Sequence, residues 1–464
     1  SEPWDLVVVD EAHHMNADEQ HGQTLAYQLV KQLQDAGRVQ SLIFFTGTPH
    51  RGDDYGFLSL VHLLRPDLFD LRVPMRAQLA KLPQVMIRNA KANVTDLKGR
   101  KLFQSPKVDS ETYQYSDAEA RFYGLLTAFI AAGLAYASGL ARNEQRTVML
   151  VLIAMQKLAS SSTAAIRRAL NRRLSRIAAG ERRVEKLQEL LAVYSRSDAE
   201  GPSDELTALE EALADAGSAV QLMKDEEPRL RELLAAADQI AEDTKLATLL
   251  DVVKTRFGDR TVLFFTEYKA TQGALLSVLA AAFGETTVTF INGDDRLDDV
   301  RMPNGSLRTL KQSKEDAAEQ FRTGTVRFLI STEAGGEGID LQDRCHTLIH
   351  VDLPWNPMRL HQRVGRLNRY GQTQRVDVLT LRNPDTVESL IWEKLNDKLD
   401  RISLALGQVM DEPEDLLQLV LGMTSPNLFT ELFSKASQVP RASLSSWFDQ
   451  KTAHFGGKDV VQAV

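Results

Sequence analysis

The stretch that decides the fold is residues 326–342, VRFLISTEAGGEGIDLQ. It begins with a short apolar run interrupted only by Arg327, which is typical of a buried β-strand. The turn that follows contains Gly335, Gly336 and Gly338, whose small size lets backbone amides approach a ligand closely. A buried strand that ends in such a turn indicates a parallel α/β sheet with its binding residues at the strand carboxyl ends.

Short apolar strands alternate with helical patterns on both sides of this stretch. Further strands are predicted at 261–265, 288–291, 347–351 and 376–381. The first 82 residues show the same alternation, with apolar runs at 6–9 and 41–45. The sequence therefore predicts two α/β domains with parallel sheets.

A helical region is predicted between these domains, from about 112 to 245, where strand signals stop. Two parts of it keep a heptad register around a loop at 195–203, which indicates a helical hairpin. The first arm is basic and the second acidic, so pairing between the arms is favoured over a nucleic-acid contact. The basic residues are Arg167, Arg168, Arg172, Arg173, Arg176, Arg182, Arg183 and Lys186.

Composition limits the class of protein. The 464 residues are 43% hydrophobic and 25% charged, enough for roughly two to four folded domains. No run of about eighteen apolar residues and no secretory signal occurs, so we expect no membrane span and a cytoplasmic location. The single cysteine, Cys345, excludes internal disulfides and a Cys-based zinc site. A net charge of −8 argues only mildly against nucleic acid, because one basic groove is sufficient for binding.

Two polar segments follow the strands of the first domain. Asp10-Glu11-Ala12-His13 comes directly after the first, where a nucleoside triphosphatase places one carboxylate near Mg²⁺ and another beside the attacking water. Asp10 would hold the metal and Glu11 would orient or deprotonate the water. Thr46-Gly47-Thr48-Pro49 ends the next strand. Taken alone, the first segment could be an acidic pair that caps a strand or helix, and the second could be a simple turn. The two segments in this order favour a functional role.

A basic segment, QRVGRLNRYGQ, occupies residues 362–372. The spacing puts Arg366 and Arg369 on one face of a helix, with Gln362 a turn earlier. Arginines at this spacing usually form a solvated basic face. In this ordered set they also match arginine fingers, guanidinium groups that stabilise charge on a phosphoryl group during its transfer.

Together these segments resemble four motifs of superfamily 2 helicases, in order: residues 10–13 motif II, residues 46–49 motif III, residues 331–342 motif V and residues 362–372 motif VI. Pro354-Trp355-Asn356-Pro357 and the ending of the basic segment resemble the Swi/Snf family of double-stranded DNA translocases. The spacing is most similar to the distant bacterial branch that includes RapA-like remodellers and DISARM helicase-like subunits. Phe264-Phe265-Thr266 resembles motif IV. The resemblance covers roughly residues 1–110 and 243–400.

The resemblance implies an α/β fold with two RecA-like lobes, the first truncated at its N-terminus. The expected divisions are the remainder of lobe 1 at 1–110, the helical insertion at 111–242, lobe 2 at 243–407 and a helical tail at 408–464. It implies ATP and Mg²⁺ between the lobes and double-stranded DNA across both, with RNA as the alternative. A partner protein, RNA polymerase or defence-system subunits, would bind through the helical insertion.

The resemblance also assigns roles to residues. The catalytic ones would be Glu11, Arg366 and Arg369. Those that bind ATP would be Asp10, which also holds the metal, Gly338, Asp340 and Gln362. Those that couple hydrolysis to movement would be His13, Thr46 and Thr48. Those that contact nucleic acid would be Thr266, Ser331, Thr332 and Trp355.

Motif I, the Gly-x-x-x-x-Gly-Lys-Ser/Thr loop that cradles phosphates, does not occur in the 464 residues. The expectation is a fragment, a split subunit or a mis-started gene without ATPase activity of its own. Within that expectation three activities stay open. They are a duplex-DNA translocase, a strand-separating DNA or RNA helicase, and a non-catalytic subunit that completes the ATPase site of another chain.

Overall fold

A computed structural model describes residues 3–12, 15, 17–18, 22–46, 54–87, 94–96, 98–178, 221–333, 339–355, 357–406, 432, 439 and 443–452. The chain forms two compact units. The first comprises Ser1–Lys101, Asn396–Thr430 and Asp449–Val464, and the second comprises Leu102–Leu395 and Glu431–Phe448.

The first unit contains a parallel pair of strands, β1 and β4, with Val7 opposite Leu42 and Val9 opposite Phe44. Its described elements are β1 (Val7–Val9), β2 (Ala17–Asp18), β3 (Gly22–Gln23), α1 (Leu25–Asp35), β4 (Leu42–Phe44) and α2 (Asp54–Leu64). β2 and β3 form a short antiparallel pair. One face of the β1–β4 pair packs on a core that includes Tyr27 from α1. The other face exposes large apolar side chains, namely Leu6, Val8, Ile43 and Phe45.

The second unit is built on a parallel six-stranded sheet in the order β5-β12-β11-β6-β10-β7. Its strands are β5 (Lys107–Thr112), β6 (Val262–Phe265), β7 (Val288–Ile291), β10 (Phe328–Ser331), β11 (Thr347–His350) and β12 (Asp377–Arg382). Every residue of β6, β7, β10 and β11 is buried. Burial on both faces explains why these strands consist of continuous apolar runs. The predicted α/β fold class with parallel sheets is confirmed.

Helices cover both faces of this sheet. They are α7 (Thr244–Arg256), α8 (Lys269–Phe283), α9 (Lys314–Thr323) and α10 (Pro357–Gly365). A further helix, α11 (Val387–Leu406), follows β12 along the chain. Successive residues of β6 enter different cores: Val262 and Phe264 pack on one side, Leu263 and Phe265 on the other. An antiparallel hairpin of β8 (Arg296–Arg301) and β9 (Leu307–Lys311) contacts α8, with the buried side chains of Leu297 and Val300 facing it.

A helical bundle belongs to the same unit. It comprises α3 (Asp117–Ala137), α4 (Arg142–Ser161), α5 (Thr163–Ala178) and α6 (Glu226–Asp238) around one apolar core. A capping box between Ser116 and Glu119 begins α3. α3 is long and apolar enough to cross a membrane by length and composition. Its apolar side chains, including Phe122 and Phe129, pack in the bundle core. A last described helix, α12 (Leu444–Lys451), lies in the predicted tail.

The first expected domain division, at residue 110, falls inside a strand of the second unit. The sequence assigned residues up to 110 to the first lobe, whereas β5 pairs with β12 in the sheet of the second unit. β5 escaped prediction because it is a polar edge strand with exposed or half-exposed side chains and no apolar run. The β8–β9 hairpin escaped for the same reason.

The loop of the predicted hairpin and the adjoining part of each arm fall within 179–220, outside the described residues. Three of the arginines of its first arm contact carboxylates. Arg167 contacts Asp238 of α6, and Arg168 lies 3.5 Å from Asp299 of β8. Arg173 contacts Glu226. Glu226 and Asp238 lie in the second arm, which the sequence placed between the loop at 195–203 and about residue 240, so these two pairs join the predicted arms, whereas Asp299 lies outside the hairpin.

Candidate functional site

The carboxylates of the first unit follow β1 directly. Asp10 and Glu11 are exposed, and the Asp10 carboxylate accepts a hydrogen bond from the Glu11 amide at 2.9 Å. Glu11 has φ +48°, a left-handed conformation that is uncommon outside glycine and turns the chain sharply after the strand. The Phe45 amide donates to Val9 and the Ala12 amide donates to Phe45, so the ends of β1 and β4 lie side by side. Thr46 therefore lies beside this turn.

His13 and Thr48, predicted to couple hydrolysis to movement, lie outside the described residues. So does Gly338, predicted to contact ATP. Their roles stay predictions.

In the second unit, Asp340 and Arg369 form an ion pair. Arg369 Nη1 lies 2.7 Å from Asp340 Oδ1, and the two side chains are 40% and 61% exposed. The resemblance implied that Asp340 binds ATP. The arginine it contacts in this structure is the second predicted finger.

Arg366 and Arg369 do not lie on a helix, contrary to the geometry assumed from their spacing. α10 ends at Gly365, and the chain continues in a tight turn in which the amides of Arg366 and Leu367 donate three residues back. Leu367 is fully buried in the core under the sheet, which draws the chain inward. Gly371, with φ +95°, reverses it toward β12. Gln362 is exposed on the last turn of α10.

The side chains predicted to contact nucleic acid are buried. Thr266, Ser331, Thr332 and Trp355 are at most 4% exposed. The Thr266 hydroxyl donates to Asp352 at 2.6 Å, and the Ser331 hydroxyl donates to the Thr332 carbonyl at 2.7 Å. Lys157 of α4 lies 5.1 Å from the centre of the Trp355 ring. A contact between these four side chains and nucleic acid stays a prediction, and it would require the side chains to become exposed.

Between the predicted motifs lies a group of charged side chains that we call the buried ion cluster. It consists of Lys245, Glu267, Glu333, Asp352, Arg359 and Arg363. Asp352 follows β11 and is 3% exposed. Its carboxylate accepts hydrogen bonds from Ser161 at 2.6 Å, from Thr266 at 2.6 Å and from the Glu267 amide at 3.1 Å.

Arg363 is the centre of the cluster and is 1% exposed. Its Nε and Nη2 donate to the Glu333 carboxylate at 2.9 and 2.6 Å, and its Nη1 donates to the Asp352 carbonyl at 2.9 Å. Arg359 lies 3.1 Å from Glu267 and 3.5 Å from Glu333. These contacts join motif VI to the first residues of motif V and to the end of β11.

Burial changes the proton affinities in the cluster. It raises the pKa of Glu267 to about 7, with Asp352 and Glu333 adding to the rise and Arg359 opposing it. Burial lowers the pKa of Lys245, an effect that the nearby Asp352 opposes. Lys245 donates to the carbonyl of Ser161 at 2.7 Å, at the end of α4, where a cation meets the negative end of the helix dipole.

Sequence reasoning missed this cluster although two of its members lie within the quoted motifs. Arg363 stands next to Gln362, and Glu333 precedes the glycines. A usable signal was present at Asp352, an acidic residue directly after a predicted buried strand. Such a residue needs a partner when it is buried, and the surrounding arginines could supply one.

The donor set at β1 fits a magnesium ion carried by a nucleotide. Among the described residues, no three His, Cys, Asp or Glu side chains gather into a metal site. Mg²⁺ bound with nucleotide phosphates needs only one or two protein carboxylates. The exposed Asp10 carboxylate at the end of a parallel strand meets that requirement.

Comparison with known families and proteins identifies the relatives of the chain. The family described as "Helicase conserved C-terminal domain" matches residues 244–371. The "Uncharacterized ATP-dependent helicase YqhH" of Bacillus subtilis is 26% identical over 88% of this chain and 61% of its own length. The "CHD3-type chromatin-remodeling factor CHR7" of Arabidopsis thaliana is 30% identical over 45% of this chain and 16% of its own length. Residues 244–371 therefore match a helicase C-terminal domain, and the chain is similar to ATP-dependent helicases and chromatin-remodelling factors of the Swi/Snf type.

The chain spans about three fifths of the length of YqhH. Among solved structures, the Pyrococcus furiosus Hef helicase domain aligns with 84% of this chain and 74% of its own, at 14% identity and a TM-score of 0.46. The matched range 244–371 contains every residue of the buried ion cluster and both predicted fingers.

Proposed function

We propose that this chain forms part of an ATP-dependent motor that moves along double-stranded DNA, with Arg366 and Arg369 acting as arginine fingers. The observation that carries the proposal is the exposed pair of Arg369 and Asp340. The pair links motif VI to motif V, and each of its partners has a predicted role at the nucleotide. A guanidinium held this way can exchange a carboxylate for a phosphate when ATP arrives.

The carboxylates of the first unit would bind the metal ion and activate the attacking water. Asp10 would hold Mg²⁺, which when bound neutralises charge on the transferring phosphoryl group. Glu11 would accept a proton from the attacking water or orient it. The sharp turn at Glu11 supports this role, since it leaves both side chains exposed at the strand end.

The finger role is tested by Arg366→Ala and Arg369→Ala, with Arg375→Ala as the control. Arg375 is a nearby exposed arginine whose Nε donates to the Ser105 carbonyl at 3.0 Å, outside the motifs. The assay needs a motif I, in the natural polypeptide or supplied as a second chain. We expect each finger variant to lose about 10³-fold or more in turnover with nucleotide affinity nearly unchanged. Equal losses of affinity and turnover would contradict the role.

The 464-residue polypeptide by itself should hydrolyse ATP at background rate, because it contains no loop to hold the phosphates in place for these residues. Supplying motif I in the same or a second chain should restore DNA-stimulated hydrolysis. Substantial turnover by the 464 residues alone would refute this expectation.

Duplex DNA is proposed as the track because chromatin-remodelling factors are among the relatives. A motor that grips phosphates should bind with little base preference and weaken steeply with salt. The active protein is given ATP with two substrates, a triplex and a forked duplex. Displacement of the third strand without opening of the fork supports translocation. Efficient opening of the fork would instead indicate a strand-separating helicase.

A further inference from the structure

The C-terminal end of α4, in the helical bundle, is joined to motif VI by an unbroken series of buried polar contacts. Lys245 Nζ donates to the Ser161 carbonyl at 2.7 Å, and the Ser161 hydroxyl donates to Asp352 at 2.6 Å. The Asp352 carbonyl accepts from Arg363 at 2.9 Å. Each of these side chains is at most 5% exposed, so water does not compete for the bonds.

Arg363 in turn fixes the start of the finger turn. The amide of Arg366 donates to the Arg363 carbonyl at 3.1 Å, so the turn that carries Arg366 and Arg369 begins on the anchored residue. The planar guanidinium contacts Glu333 through two nitrogens and Asp352 through a third. A forked donor set of this kind restricts rotation as well as position.

We propose that Arg363 is a positioning residue, which holds motif VI against motif V and transmits the placement of the helical bundle to Arg366 and Arg369. The proposal rests on the proposed finger role, and it assigns the placement of the two fingers to the contacts of Arg363. A purely stabilising function is a weaker explanation, because a buried ion pair contributes little more to stability than apolar residues of the same volume. The geometric restraint is what apolar residues could not reproduce.

Arg363→Lys is the sharpest variant, because it keeps the charge and removes the fork. Its matched control is Arg173→Lys. Arg173 is likewise completely buried and contacts Glu226, but the pair lies in the helical bundle away from the motifs. Ser161→Ala is the milder companion, since it removes one hydrogen bond between α4 and Asp352 and leaves every charge in place.

The first measurement is amide hydrogen exchange on the 464-residue chain, which does not depend on activity. In Arg363→Lys we expect exchange in residues 364–372 to accelerate about 10-fold or more, as local opening becomes easier. Ser161→Ala should accelerate it less. In Arg173→Lys the change should be confined to α5 and α6. Unchanged exchange in residues 364–372 of Arg363→Lys would overturn the proposal.

The second measurement is turnover with a motif I present. Arg363→Lys should lower kcat about 10- to 100-fold with nucleotide affinity within about 2-fold, the effect expected when reacting groups are misplaced by about 1 Å. Arg173→Lys should lower the melting temperature and leave kcat unchanged. Equal kcat values for the two lysine variants would also overturn the proposal. Absence of ATPase activity in the unmutated protein would refute the finger role, while hydrogen exchange would still decide whether Arg363 holds the turn.

Discussion

Asp352→Asn tests whether the buried ion cluster depends on charge, because asparagine has nearly the same shape as aspartate and carries none. The Asp352 carboxylate accepts from two hydroxyls and one amide, and Arg363 Nη2 lies 3.6 Å from it. In the variant, one carboxylate oxygen becomes an NH₂ group that faces donors. Lys245 and Arg363 also lose a buried counter-charge.

The expected cost follows from these contacts. A hydrogen bond to a charged acceptor contributes about 1.5–3 kcal/mol, and removing one partner of a buried charged group costs about 3–5 kcal/mol. Because asparagine keeps part of the acceptor capacity, we expect a loss of about 3 kcal/mol of unfolding free energy. At about 2–4 °C per kcal/mol for a unit of this size, the melting temperature should fall by about 6–12 °C.

The assay is thermal denaturation of the 464-residue chain, with Asp298→Asn as the control. Asp298, on the β8–β9 hairpin, also accepts from an arginine and a threonine, at 2.8 and 2.9 Å. Its side chain is 37% exposed, so its loss should cost less than about 1 kcal/mol. If Asp352→Asn shifts the melting temperature no more than Asp298→Asn, the electrostatic account of the cluster is wrong.

A double-mutant cycle locates the effect. Ser161→Ala should cost about 1–2 kcal/mol in the normal background and about 1 kcal/mol less when Asp352 is already asparagine. Additive losses would mean that the end of α4 and the end of β11 are not coupled through this bond.

Three further predictions concern pH, packing and charge. The folded state holds the Glu267 proton up to about pH 7, whereas the unfolded chain releases it near 4.5, so stability falls as pH rises between these values. In Glu267→Gln, the decrease in unfolding free energy between pH 4 and 8 should be smaller than in the wild type by up to about 3 kcal/mol. Denaturation experiments that show the wild-type pH dependence would refute this. A Cβ at Gly133 would lie 2.8 Å from a buried α4 side chain, whereas one at Gly124 meets nothing within 4 Å. Gly133→Ala should therefore lower the unfolding free energy by about 1 kcal/mol, and Gly124→Ala should raise it by about 0.5–1 kcal/mol. Melting-temperature shifts of the same sign in the two variants would contradict this. Arg167→Gln with Arg168→Gln should leave the salt dependence of DNA binding unchanged, because both arginines contact carboxylates, and a flatter slope would assign them to phosphates.

Strand positions in the second unit could be predicted because burial leaves a local record in the sequence. A strand covered on both faces must be apolar at every position, as in β6 and β10. The edge strand β5 leaves no such record, since its side chains stay in contact with water. The expected domain division at residue 110 therefore falls inside this strand.

The motifs were equally readable, because glycines beside a strand end and acidic residues after β1 report chemistry that requires those residue types. The sequence alone led to the superfamily and to the Swi/Snf type, which the comparisons bear out. The parallel pairing of β1 with β4 then brings Asp10 and Thr46 to one edge. Adjacent parallel strands carry their carboxyl ends to the same side, so this placement follows from strand order.

What the sequence could not distinguish is which arginine of motif VI is exposed. Arg363, Arg366 and Arg369 are separated by three residues each and look equivalent in a helical pattern. Tertiary contacts made them different. Arg363 is buried because Glu333, thirty residues earlier, and Asp352 at the end of another strand surround it, whereas Arg369 is left at the surface beside Asp340. Burial of a charge depends on partners that are distant in sequence, so only the folded chain decides which arginine of this segment is buried and which lies at the surface.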